Sequence, residues 1–194
     1  MKKIPTLFER RFENHKIVEV LPNITPGCEE AFLHGIATIK LDGACCAVIG
    51  GKLYKRYDAK GGKPVPEGAI KCQDEPDPIT GHLPCWVQCD YNNPADKWFL
   101  TAYANTVLRE KSCPLPDGTY EAIGTHFQGN PYNLPRDVME RHGLREVIVV
   151  RTFEGVKWWL KNFYHEGLVF WLNGEPVCKI KRSDFGLEWR GRKK

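Results

Sequence analysis

Lys40 stands between an apolar run and an Asp-Gly pair in Ala37-Thr38-Ile39-Lys40-Leu41-Asp42-Gly43, a placement that suits a nucleophilic amine. A lysine attacks a phosphoryl group only when unprotonated, and a reference pKa near 10.4 leaves roughly one molecule in a few thousand neutral at pH 7. Burial, neighbouring cations or a bound metal must supply the difference. The pattern K-x-D-G arises by chance in about one chain in twenty of this length. Its meaning therefore depends on the other charged residues that apolar stretches carry. In chain order these are Arg56, Glu121, Glu166, Lys179 and Lys181. Nucleotidyl transfer to lysine uses such a set: an attacking amine, cations for the α-phosphate and the departing pyrophosphate, and carboxylates for ribose hydroxyls and a divalent metal. Each also has a structural alternative. Glu121 can pair with a lysine across a sheet, Glu166 can cap a turn, and Lys179 with Lys181 can form a solvated strand face.

These side chains need elements to carry them. From 37 to 57, two apolar runs flank Gly50-Gly51 and predict a hairpin, so Lys40 is expected to enter a hairpin whose return strand holds Lys55 and Arg56. A short strand is expected around 17–21, with the rest of 1–35 left open. There Lys2, Lys3, Arg10 and Arg11 read as solvated surface, with contact to a phosphate backbone as the alternative. Prolines and glycines make 58–84 irregular, with a turn at 77–81. A strand is expected at 86–89, a helix over 98–111, and a strand at 119–124 on which Glu121 and Ile123 share one face. Beyond the Gly129-Asn130-Pro131 turn, 136–142 reads as one or two helical turns, 146–151 as a buried strand and 153–163 as a helix. That helix should bury at least one of Trp158 and Trp159. The final hairpin runs from Glu166 through an Asn173-Gly174 turn to Lys181. Period two then puts Lys179 and Lys181 on one face and Cys178 and Ile180 on the other. The basic tail, with Arg190, Arg192, Lys193 and Lys194, is expected to fray.

At 194 residues with 42% hydrophobic and 27% charged residues, the chain can build one sizeable core, and a single domain over 1–194 is expected. No apolar run approaches membrane length and no secretion signal opens the chain, which points to the cytoplasm and to no membrane partner. The eight cysteines contain no C-x-x-C pair, which argues against zinc and for reduced, small apolar side chains. Adjacent Cys45 and Cys46 should face opposite sides of a strand. The six histidines show no ligand spacing. A net charge of +4 permits a polyanionic partner without demanding one.

The same residues carry a resemblance. Lys40-Leu41-Asp42-Gly43, then Tyr120-Glu121-Ala122-Ile123-Gly124, then Glu166-Gly167-Leu168-Val169-Phe170, then Lys179-Ile180-Lys181 resemble, in order and rough separation, the motifs of the covalent nucleotidyltransferases: ATP-dependent polynucleotide ligases and mRNA capping enzymes. Gly81-His82-Leu83-Pro84 with Trp86-Val87, Gly129-Asn130-Pro131-Tyr132, and the run from Lys179 through Arg182 to Gly186-Leu187 bring it closest to the small eukaryotic 5′-to-3′ RNA ligases. The resemblance covers about residues 36–187. It implies an α+β fold in which two antiparallel β-sheet lobes with flanking helices form a nucleotide cleft, in the manner of nucleotidyltransferase and ATP-grasp-like ligase domains. It also implies a monomer, and the short stretch after Lys181 implies no appended oligonucleotide-binding domain.

The implied reaction joins RNA 5′-phosphate and 3′-hydroxyl ends, with ATP and Mg2+ or Mn2+ as cofactors. Lys40 would take AMP from ATP, assisted by Lys179 and Lys181 at the α-phosphate. Glu121 would bind the ribose, Glu166 would bind nucleotide and metal, and Arg56 would face the nucleotide or the RNA end. Many RNA ligases carry glutamate just before the nucleophile, where this chain has Ile39. Adenine recognition at Ile39 would then rest on backbone groups. A DNA ligase, a capping guanylyltransferase and a non-catalytic RNA-binding module are the alternatives.

Overall fold

The computed structural model describes residues 1–190 apart from His15, Gly62 and Ile79. In chain order the elements are β1 (Phe8–Glu13), β2 (Lys16–Ile24), α1 (Glu29–His34), β3 (Ile36–Lys40), β4 (Ala44–Ile49), β5 (Lys52–Ala59), β6 (Ile70–Lys71), β7 (Leu83–Gln88), α2 (Lys97–Glu110), β8 (Gly118–Ile123), β9 (Val138–Arg141), α3 (Phe153–Asn162), β10 (Gly167–Leu172) and β11 (Glu175–Lys181). The class is α+β with antiparallel sheets, as expected. Two compact units divide the chain: Met1–Lys3 with Asp42–His142, and Ile4–Leu41 with 143–190. The chain passes from the second to the first just after Lys40-Leu41. Among the described residues, no helix is long and apolar enough to cross a membrane.

The unit containing Lys40 is built on a three-stranded sheet in the order β11-β10-β3. Alternation decides its faces. Leu168 and Phe170 of β10, Cys178 and Ile180 of β11, and Ala37 of β3 point into a core with Phe32 of α1 and with Val156, Trp159 and Leu160 of α3. Lys179 and Lys181 take the opposite face. Each large apolar side chain so buried contributes roughly 1.5–3 kcal/mol. Thr152 caps α3 by accepting the Gly155 N–H at 3.0 Å. This helix buries Trp159 and leaves Trp158 60% exposed. The ribbon β1–β2 adds Phe8 and Val20 to the same core, with Leu7 just before it, and the Phe8 ring meets Phe32 and Phe153 edge-on at 5.6 and 5.0 Å.

The other unit carries a six-stranded sheet, β6-β7-β5-β4-β8-β9. Helix α2 covers it with Ala102 and Thr106, both fully buried. The Thr106 hydroxyl donates to the Ala102 carbonyl at 2.8 Å and accepts the Met139 N–H at 2.7 Å, fastening α2 to β9. Cys46, Tyr120 and Ala122 lie in the core beneath α2, whereas Cys45 and Glu121 take the other face of the sheet. All eight cysteines are free, and five are buried.

Four local expectations are corrected. Residues 136–142 form no helix: Val138–Arg141 pair with β8 as β9, because the open edge of β8 offers ladder hydrogen bonds and a slot for Met139 that a lone helical turn lacks. The stretch 146–151 makes only one bridge, Thr38 to Glu146. Val149 is buried there, but Ile148 and Val150 stand out in solvent, so β-branched composition misleads where no continuing partner strand exists. Strand β2 is longer than 17–21 and pairs with β1, whose alternation is hidden by register shifts between Phe8 and Arg10 and between Arg11 and Phe12. Lys40 does not enter the Gly50-Gly51 hairpin. That hairpin joins β4 to β5, whereas Lys40 ends β3 in a different sheet. The basic tail residues Arg192, Lys193 and Lys194 and part of the 77–81 turn lie outside the described residues.

Candidate functional site

Strand register brings Lys40, Glu166 and Lys181 together within one unit. Gly167 opposes Lys40 on β3 and Lys181 on β11 at once, so Glu166, one residue earlier, stands at the common end of three strands. Its two carboxylate oxygens divide between two ammonium groups. The Lys40 amine reaches Oε2 at 2.5 Å and the Lys181 amine reaches Oε1 at 3.4 Å. Glu166 is buried at 7% exposure, and Lys40 and Lys181 are more open. A carboxylate removed from water must be compensated, and here two cations do so. The same pairing favours the ammonium form of Lys40.

Gly167 makes this convergence possible. A Cβ there would lie 2.1 Å from the Ile180 carbonyl oxygen and 3.0 Å from the Lys181 Cα, so the close approach of β11 excludes any side chain.

Lys179 lies two residues from Lys181 on the same face. Its backbone is fixed by the N-terminal segment: the Lys179 N–H donates to the Pro5 carbonyl at 3.1 Å, and its carbonyl accepts the Leu7 N–H at 2.7 Å. A cavity of about 370 Å³ opens beside both lysines, with Arg10, Ser183 and Asp184 also in its wall. Arg10 pairs with Asp184 at 3.3 Å, and the other Asp184 oxygen accepts the Lys181 N–H at 2.9 Å. Cations outnumber the carboxylate here, an arrangement suited to phosphate oxyanions. Ile39 contributes its side chain to the apolar core, and its N–H donates to the Arg145 carbonyl at 2.9 Å.

Glu121 and Arg56 belong to the six-stranded unit. Glu121, 9% exposed, accepts the Gly43 N–H at 3.0 Å on one oxygen, while its other oxygen faces His142 Nε2 at 3.0 Å. Gly43 is needed for close approach, since a Cβ would lie 2.2 Å from the Ala122 carbonyl oxygen. The neighbouring Asp42 N–H donates to the Tyr132 hydroxyl at 2.6 Å, and Gln128 Nε2 donates to the Gly43 carbonyl at 3.0 Å. The Asp42-Gly43 pair is thus held by side chains from the loop between β8 and β9. Arg56 is engaged by Asp58 at 2.8 Å and by the Met1 carbonyl at 2.8 Å.

Sequence reasoning missed His142 and read Arg10 as solvated surface, with contact to a phosphate backbone as the alternative. Nothing in spacing marks His142, because β9 alone brings it back to Glu121. Mg2+ takes oxygen ligands and shares them with substrate phosphates. Glu166 supplies such a carboxylate beside the cationic cavity, so the donor chemistry fits once an ammonium gives way.

No family model matches the chain. It is 28% identical to RNA ligase 1 of Danio rerio over an alignment covering 86% of this chain and 72% of that protein. It is 25% identical to RNA ligase 1 of Rattus norvegicus, covering 80% and 69% respectively. For RNA ligase 1 of Pongo abelii the identity is 24%, with 79% and 68% covered.

Proposed function

We propose, from the premise that the chain is a relative of the RNA ligase 1 proteins, that it is an ATP-dependent RNA ligase working through a lysyl-AMP intermediate. The observation that carries this reading is the sharing of Glu166 between Lys40 and Lys181, with a cationic cavity alongside.

In the first step the unprotonated Lys40 amine attacks the α-phosphorus of ATP. A phosphoramidate forms as the nitrogen gives up one proton to solvent, the α–β phosphoanhydride bond breaks, and pyrophosphate departs. Lys179 and Lys181 offset the charge that builds on the α-phosphate, a contribution realised mainly in the transition state. Glu121 holds the ribose hydroxyls, and Arg56 binds near the nucleotide or the RNA end. In the second step an RNA 5′-phosphate oxygen takes the AMP and releases Lys40. In the third, a 3′-hydroxyl attacks that 5′-phosphate and expels AMP, sealing the strand. Mg2+, or Mn2+, held by Glu166 and the phosphates, would neutralise phosphate charge. Ile39 leaves adenine recognition to backbone groups. The reading takes the protein as a cytoplasmic monomer acting without a membrane, in keeping with its free cysteines.

Incubation with ATP labelled at the α-phosphate tests the reading. Acid-stable label should appear on the wild-type chain, disappear in Lys40→Ala, and pass to a 5′-phosphorylated RNA when one is added. Label on Lys40→Ala would refute the nucleophile. Label from GTP instead of ATP would indicate a guanylyltransferase, and transfer to DNA alone a DNA ligase. Salt-sensitive RNA binding with no label at all would indicate a binding module.

A further inference from the structure

We infer that Cys45, Glu121 and His142 form a binding site for a thiophilic divalent cation of the Zn2+ type. The further claim that such a cation competes with nucleotide rests on the ribose role proposed for Glu121.

Three neighbouring strands assemble the site within one unit. Cys45 on β4 stands opposite Glu121 on β8, and His142 directly follows β9 on the other side of β8. Their thiol sulfur, carboxylate oxygen and imidazole nitrogen lie within 4.8 Å of one another. Zinc bonds of 2.0–2.3 Å in a tetrahedral arrangement place donor atoms about 3.3–3.8 Å apart. His142 Nε2 and the Glu121 oxygen are already at 3.0 Å, so closure around an ion needs side-chain shifts of about an ångström.

Outer partners aim the ligands. His142 Nδ1 meets the Thr119 hydroxyl at 3.0 Å, and the His142 N–H donates to the Thr119 carbonyl at 3.0 Å. The second Glu121 oxygen is held by the Gly43 N–H. Such contacts fix ring orientation and leave Nε2 as the coordinating atom. Sulfur with imidazole nitrogen selects Zn2+, Cd2+ or Co2+ over Mg2+ and Ca2+, which take oxygen ligands. Three protein ligands leave a fourth position for water.

Coordination forms the sulfur–metal bond, breaks the thiol S–H bond and sends that proton to solvent. An ion here occupies the Glu121 oxygen that faces His142 and turns the ribose carboxylate into a metal ligand.

Cobalt titration of the full chain, without nucleotide, tests the site through the thiolate-to-cobalt absorption band. The wild type and Cys113→Ser, which removes an exposed cysteine, should both give the band. Cys45→Ser should lose it, and His142→Ala should weaken binding beyond the roughly 100-fold that an outer partner is worth. Thr119→Val keeps all three ligands and should weaken binding roughly 10- to 100-fold, so the test survives a poorly folding ligand variant. Absence of the band in the wild type, or an unchanged band in Cys45→Ser, would overturn the site. Adenosine has no phosphates to chelate cobalt. If saturating adenosine leaves cobalt affinity unchanged, the competition fails and the ribose assignment is at fault, while the cation site stands.

Discussion

Replacing Gly167 by alanine should separate stability from activity. The added methyl would sit 2.1 Å from the Ile180 carbonyl oxygen, where ordinary contact begins near 3.4 Å, so β10 and β11 must part by more than an ångström. Both obstructing groups are backbone, and no rotamer change relieves them. Overpacking of this kind costs about 1–3 kcal/mol, below the roughly 5–15 kcal/mol that holds a domain folded. The chain should therefore fold, with a melting temperature several degrees lower. Gly167 opposes both Lys40 and Lys181, so the same displacement pulls apart the amine, the carboxylate and the cation. A misplacement of about 1 Å costs on the order of 100-fold in rate. Single-turnover labelling from saturating ATP, run beside thermal denaturation, measures both effects. A lowered melting temperature with a wild-type labelling rate would refute the coupling between this strand junction and the chemistry. No change in either would refute the close approach itself.

Glu166→Gln removes the charge shared by Lys40 and Lys181 and should slow self-adenylylation about 100- to 1,000-fold, read by the same single-turnover assay, with Mg2+ dependence altered in parallel. Asp96→Ala should cost about 3–5 kcal/mol in urea unfolding, because Asp96 is 1% exposed, pairs with Lys55 and accepts the Asp90 N–H at 3.1 Å. Burial, and then the charges of Arg145 and Arg182, hold the His165 imidazole below its ordinary value. The unfolded chain therefore takes up a proton first as pH falls through about 6.5, and stability present above that pH is lost below it. His165→Phe should show a smaller drop in melting temperature between about pH 7.5 and about pH 5.5 than the wild type.

The parts of the fold that local chemistry dictates were legible in the sequence. The Asn173-Gly174 turn with period-two alternation gave β10, β11 and the shared face of Lys179 and Lys181, and 3.6-residue spacing gave α2 and α3. What escaped depended on partners distant in the chain. Whether 138–141 becomes strand or helix is decided by the free edge of β8, and β1 conceals its pattern behind register shifts. For the site, residue types were readable but pairings were not. Lys40 was expected beside the strand carrying Lys55 and Arg56, yet it pairs with β10, more than a hundred residues away in sequence. His142 carries no local signal because only the return of β9 brings its imidazole to Glu121.

The pairing of Lys40 with Glu166 bears on how a lysine could be activated without being permanently deprotonated. An uncharged amine held beside a buried carboxylate would remove one of the two positive charges that Glu166 meets, a poorer balance for a 7% exposed charge. A resting ammonium avoids that cost. Under the proposed reaction, nucleotide arrives with its own negative charge and a divalent cation, and the cation can take the Glu166 oxygen that Lys40 gives up. Lys40 would then lose the interaction that favours its protonated form at the moment an electrophilic phosphorus is presented. In that reaction the carboxylate would tie amine activation to substrate arrival. This exchange requires both partners on one carboxylate, and the junction at Gly167 provides that placement.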